Sequence, residues 1–137
     1  MPEENADTKI KILLIDDDTD FCFLFKEGLQ CLNKYKVLVA KGGNVGAWLA
    51  SCRWHKPDVI VLDILMPGVN GLEVLKKLRA DKRTMYAPIL MCSAVTDPAA
   101  KIKAEGLYCD GYITKPASIE VIIERINEVL KKRGKIS

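Results

Sequence analysis

Five short apolar runs recur along the chain, at residues 12–15, 37–40, 59–62, 89–92 and 111–114. They are continuous rather than alternating, the pattern of strands buried on both faces. Between and after them lie segments with a period near 3.6. In the first, Phe21, Leu24, Phe25, Leu29 and Leu32 are read as one face. The second covers about residues 45–54, with Trp48 and Trp54 read as core and rim. The third opens with Asn70 and Glu73, a cap pair, and carries Leu72, Leu75 and Leu78. The fourth starts at Asp97 and Pro98, an N-cap followed by proline at the first helical position, and stops before Gly106. The fifth starts near Ser118, repeats Ile119, Ile122, Ile123, Ile126, Val129 and Leu130, and ends at Gly134. Five such βα units, with no internal repeat, predict an α/β fold: a single five-stranded parallel sheet with five helices on both faces. Residues 1–8 read as a flexible arm, 9–133 as the domain and 134–137 as a tail.

Composition narrows the class. The 137 residues amount to one domain. Hydrophobic residues at 49% and charged ones at 28% allow a packed core and argue against disorder. No apolar run reaches the roughly 18 residues of a membrane span, and the acidic start MPEENADTK lacks the character of a secretory signal. A net charge of +3 is too small to argue for direct nucleic-acid binding. The five cysteines form no CxxC pair and leave an odd count, which reads as reduced, structural thiols and a cytoplasmic protein.

The chemistry collects where the strands end. In open α/β sheets, function sits beyond the carboxyl ends of the strands. Asp16, Asp17 and Asp18 follow the first run, Asp63 the third, Ser93 the fourth, and Lys115 and Pro116 the fifth. Parallel strands bring these ends to one edge. Carboxylates crowded there raise one another's pKa or demand a cation. Oxygen-only ligands suit a hard ion, Mg²⁺ first, which often bridges to a phosphoryl oxygen. Lys115 can neutralise such an oxygen, Ser93 can donate to another, and a carboxylate can become an acyl phosphate. Asp18 and Asp20 read as helix-start acids. His55 lies in a solvated turn, Met66, Pro67 and Gly68 form another turn, and the cations after Leu130 solvate a helix end.

The motifs ILLIDDD, PDVIVLDILMPGVNG, PILMCSA and DGYITKP, in this order over residues 9–132, resemble the receiver domain of two-component response regulators, of the chemotaxis-receiver type. The resemblance implies a flavodoxin-like sheet of order 2-1-3-4-5. It implies Asp63 as the phosphoacceptor and Mg²⁺ held by Asp16, Asp17, Asp63 and the Leu65 backbone carbonyl. Ser93 and Lys115 would contact the phosphoryl group, Ser93 and Tyr112 would form the switch, and the bond before Pro116 would be cis. The partners implied are a sensor histidine kinase or histidine phosphotransfer protein and an output protein or domain that the sequence does not name. An activation-dependent homodimer is compatible with it. The module would catalyse nothing beyond its own phosphorylation and dephosphorylation.

Two other readings arise from the same residues. Asp16, Asp18 and Thr19 resemble the nucleophile motif of haloacid-dehalogenase-type phosphatases, with Asp16 phosphorylated. Those enzymes need a further acidic motif after the lysine, where only one short helix follows Lys115. A flavin-binding module would place phosphate where three aspartates repel it. Within the receiver reading, the second helix departs from an acidic, polar opening: it reads GGNVGAW. Leu65 and Val95 occupy the flanking positions that tune dephosphorylation, and neither side chain can orient a water by hydrogen bonding. Slow self-dephosphorylation is therefore expected. A phosphoryl lifetime of only seconds, followed by intact mass, contradicts it.

Overall fold

A computed structural model describes residues 8–52, 55–94 and 98–137. The main strands are β1 (Ile10–Ile15), β2 (Tyr35–Ala40), β3 (Val59–Leu62), β4 (Ile89–Ser93) and β5 (Gly111–Thr114). The helices are α1 (Thr19–Gln30), α2 (Gly43–Ser51), α3 (Gly71–Ala80), α4 (Pro98–Gly106) and α5 (Ile119–Lys132). All five strands run parallel in the order β2-β1-β3-β4-β5. The predicted fold class therefore holds. The chain moves from β1 outward to β2 and then crosses to the other side of β1. The switch point thus lies between β1 and β3.

Alternation along the strands feeds two cores. Ile12, Leu14, Val59, Val61, Cys92 and Ile113 pack with α1 and α5. Leu13, Ile15, Ile60, Leu62, Ile89 and Met91 pack on the other face with α2, α3 and α4. Every residue of β3 and β4 is buried, so these strands carry no polar alternation.

Local signals set the helix boundaries. Asp18 caps α1, its side chain accepting from the Phe21 amide at 3.1 Å. Asn70 caps α3 and Ser118 caps α5 in the same way. Helix α5 stops in a Schellman arrangement: the Gly134 amide donates to Lys131 and the Lys135 amide to Leu130, with Gly134 at φ 72°. Beyond it Ile136 is half-buried against the first core, so part of the expected tail packs. The expected Asp97 cap, Trp54 and all but the last residue of the expected arm, residues 1–7, lie outside the described residues.

Several expectations need correction. The inner face of α1 is Cys22, Phe25 and Leu29, with Phe21 half-buried; Leu24 is 67% exposed. One residue turns a helix by ~100°, which carries Leu24 off the face set by Phe25, and Leu32 lies past the helix end. Trp48 is exposed rather than core, and α2 ends at Ser51. Its buried face is Gly43, Gly46 and Ala50. A Cβ on Gly46 would stand 2.6 Å from the Ile15 side chain, so the glycine-rich opening lets α2 lie directly on β1. Helix α4 includes Gly106. Pro67 and Gly68 turn a short antiparallel ladder, Leu65–Met66 against Val69–Asn70, with Gly68 at φ 71°.

At the end of the sheet where β4 and β5 begin, a half-buried ion triad joins distant segments. Asp110 accepts from Arg79 at 3.1 Å, from Arg133 at 2.6 Å and from the Ile89 amide at 2.8 Å. Arg79 also donates to the carbonyls of Met85, Ala87 and Tyr108. Asp110→Ala would take the carboxylate away from two guanidiniums and an amide, leaving the two cations only carbonyl acceptors. It is expected to lower unfolding free energy by about 3 kcal/mol in urea titration, with Asp110→Asn losing less because an acceptor oxygen remains. A loss below about 1 kcal/mol, the scale of an exposed pair, would show that the triad does not act as a clamp.

Candidate functional site

Strand register brings the carboxylates together. Ile15 pairs with Leu62, so the next residues, Asp16 and Asp63, emerge side by side. Both extend the ladder by one rung: the Asp16 amide donates to Ala40 and the Asp63 amide to Ile15, each at 3.0 Å. Asp16 is fully buried and Asp63 nearly so, at 6% exposure. Asp17 is half-buried beside them. One carboxylate oxygen from each of the three lies within 4.8 Å of the others.

Lys115 enters from the far strand. Ser93 pairs with Thr114, and the Lys115 amide donates to the Ser93 carbonyl at 2.8 Å. Its ammonium reaches Asp16 Oδ2 at 2.6 Å and stands 3.6 Å from Asp63 Oδ2. The same ammonium lies 4.1 Å from the ring centre of Phe21, a cation–π contact. The remaining carboxylate oxygens are held from the backbone, Asp16 Oδ1 by the Asp18 amide at 2.9 Å and Asp63 Oδ1 by the Leu65 amide at 3.2 Å. The Lys115–Pro116 peptide bond is cis.

The electrostatics follow from burial and crowding. Burial pushes the Asp16 carboxyl up; the Lys115 hydrogen bond and the Asp18 amide pull against it, and the Asp63 charge adds to the rise. Burial pulls Lys115 down, but its bond to Asp16 and the charges of Asp16 and Asp63 outweigh that, and its pKa ends raised. The ammonium therefore stays charged over buried, poorly hydrated carboxylates.

The other expected residues occupy the surroundings. Ser93 is buried at the end of β4. By strand alternation it shares a face with Tyr112, whose β4 neighbour in the register is Met91. Tyr112 is half-buried against the second core, and burial together with the Asp63 charge raises its phenol pKa. It also lines a groove of about 480 Å³ with Lys101, Glu105, Arg125 and Glu128 from α4 and α5. The Leu65 side chain is 63% exposed. Val95 lies outside the described residues. The cysteines are all free; burial pushes the Cys22 thiol to about 11 and the Cys92 thiol to about 12, which removes them from thiolate chemistry at neutral pH.

Two contributors carried no readable signal in the sequence. Phe21 looked like one core aromatic among several. At Gly71, a Cβ would stand 1.9 Å from the Asp63 carbonyl oxygen. Helix α3 thus starts in direct contact with the end of β3.

The donor set fits a hard divalent cation. Three carboxylates converge, two of them buried, and the lysine already supplies one positive charge to them. Asp16, Asp17 and Asp63 are the residues that would hold the ion.

The family model of the response regulator receiver domain matches residues 12–127. Protein PilH of Pseudomonas aeruginosa is 32% identical over 120 residues, which cover 88% of this chain and 97% of that protein. Regulatory protein VanRB of Enterococcus faecalis is 32% identical over 130 residues, covering 93% of this chain and 56% of that protein. The chain spans about half the length of most curated relatives it matches. Among solved structures, the chemotaxis protein CheY4 of Vibrio cholerae superposes with a TM-score of 0.82 at 28% identity, covering 89% of this chain and 99% of that one.

A metal ion held by Asp16 would compete with Lys115 for that carboxylate. Lys115→Ala is expected to tighten Mg²⁺ binding about tenfold in calorimetric titration, and Asp16→Asn to weaken it. Unchanged or weaker Mg²⁺ binding in Lys115→Ala would contradict the competition.

Proposed function

The chain belongs to the response regulator receiver domain family, and from that premise we propose that Asp63 accepts a phosphoryl group from a phosphohistidine in a Mg²⁺-dependent reaction. Receiver domains are signalling modules rather than enzymes acting on a separate substrate. The observation that carries the reading is the ammonium of Lys115 standing 2.6 Å from Asp16 and 3.6 Å from Asp63 over buried carboxylates. Such a set stabilises charge on a transferring phosphoryl group by position alone.

In the transfer, an Asp63 carboxylate oxygen forms the new bond to phosphorus while the bond to the donor imidazole nitrogen breaks, and the imidazole keeps the electron pair. A bound Mg²⁺ would neutralise phosphoryl and carboxylate oxygens together. Lys115 holds a second phosphoryl oxygen once its ion pair with Asp16 loosens. The Ser93 hydroxyl donates to a third. Its inward movement draws the β4 end with it and lets Tyr112 turn from the α4–α5 groove towards the core. The local charge change thereby alters the surface formed by α4, β5 and α5, which an output protein, a further domain or a second copy reads. Charges of both signs in that groove, Lys101, Glu105, Arg125 and Glu128, suit a polar partner.

The donor, a sensor histidine kinase or phosphotransfer protein, would dock beside the site on α1, where Phe23 and Leu24 are exposed at 63% and 67%. Among the described residues no helix is long and apolar enough to cross a membrane. We place the module in the cytoplasm, with residues 9–133 as the receiver, 1–8 as its arm and 134–137 as its tail.

Intact mass after incubation with acetyl phosphate, with and without Mg²⁺, tests the reading. Wild type is expected to gain one phosphoryl group only with Mg²⁺, and Asp63→Asn to gain none. A label that persists in Asp63→Asn would move the acceptor to Asp16 and favour the phosphatase reading instead.

A further inference from the structure

The end of the sheet opposite the aspartates holds a second concentration of charge. Strands β3 and β4 begin there, at Val59 and Ile89, and buried prolines stand just before them, Pro57 and Pro88. The two rings help line a cavity of about 290 Å³, near the lower end of the ~300–1,000 Å³ typical of small-molecule sites. Lys56, Lys82, Arg83 and Lys135 also line it, all exposed, and among the described residues no carboxylate does. Tyr86 supplies a further wall at 77% exposure, its backbone anchored through its carbonyl by Arg133.

These cations are not equally occupied. Arg83 gives its Nε and one terminal nitrogen to Asp81, at 3.1 and 2.8 Å, leaving Nη1 outside that pair. Lys135 is 4.0 Å from Asp58. Among the described residues, Lys56 and Lys82 have no ion-pair partner. Lys56 and Lys82 thus keep uncompensated charge at one concavity, beside the outer nitrogen of Arg83, and an anion inside it relieves their repulsion. The exposed phenol and the prolines add flat apolar surface next to that charge.

We propose that this cavity binds a phosphate-bearing small molecule with a planar ring, of mononucleotide size. Lys56, Lys82 and the Nη1 of Arg83 meet the phosphate, where charge-assisted bonds are strongest. The ring lies against Tyr86 and the prolines. The cations line one small, partly open concavity rather than a long groove, so a compact occupant fits better than an extended acidic peptide. The cavity sits at the opposite strand ends from Asp63, so binding requires no phosphorylation.

Calorimetric titration of the full chain with ADP and, separately, inorganic phosphate tests this, with EDTA present to prevent metal-bridged binding at the aspartates. One saturable ADP site is expected, weakened at least about tenfold in Lys56→Ala/Lys82→Ala. Tyr86→Ala should weaken ADP binding and leave phosphate binding as in wild type. These substitutions lie on exposed side chains, and an unchanged thermal midpoint verifies the fold. ADP that fails to saturate, that binds no tighter than phosphate, or that ignores the loss of both lysines would overturn the proposal.

Discussion

The structure is organised around one electrostatic problem, two buried carboxylates forced side by side by a parallel register. Ile15 opposite Leu62 leaves Asp16 and Asp63 no alternative to adjacency. Asp16 is fully enclosed there, and burial together with the Asp63 charge pushes its carboxyl up. Lys115 resolves the conflict from β5, bonded to Asp16 and close to Asp63. The surroundings then become intelligible: backbone amides hold the outer oxygens, Phe21 faces the ammonium, and Gly71 keeps α3 close enough to fix the end of β3. Among the described residues, the lysine supplies the one positive charge that this buried pair meets at close range.

The two-core layout divides labour around that edge. The α1 and α5 face carries the side of the sheet on which α1 presents its exposed apolar residues. The other face, with α2, α3 and α4, carries Ser93 at the end of β4 and Tyr112 as the second residue of β5. At the far end, the Arg79–Asp110–Arg133 triad ties the beginnings of β4 and β5 to α3 and α5. It gives these strands a fixed end opposite the aspartates.

The fold was legible because strands buried on both faces leave continuous apolar runs, such as VIVL, that few other environments tolerate. The acid, hydroxyl and lysine positions were legible because each directly follows such a run. What could not be read depended on three-dimensional closeness. In α1, consecutive aromatic and aliphatic residues from Phe21 to Phe25 offer more than one apolar face, and only packing selects Cys22, Phe25 and Leu29. In α2, size mattered more than hydrophobicity: glycines take the sheet side and Trp48 is turned outward. The ion triad joins residues 23 to 54 positions apart, and no local pattern announces it.

The most direct test of the account is chemical assignment of the acceptor. Borohydride reduces an aspartyl phosphate to homoserine, which survives digestion and can be located by peptide mass sequencing. After labelling with acetyl phosphate and Mg²⁺, the account predicts homoserine at position 63 and intact aspartates at positions 16 and 17. Homoserine at position 16 would contradict it and make the buried partner of Lys115 the nucleophile.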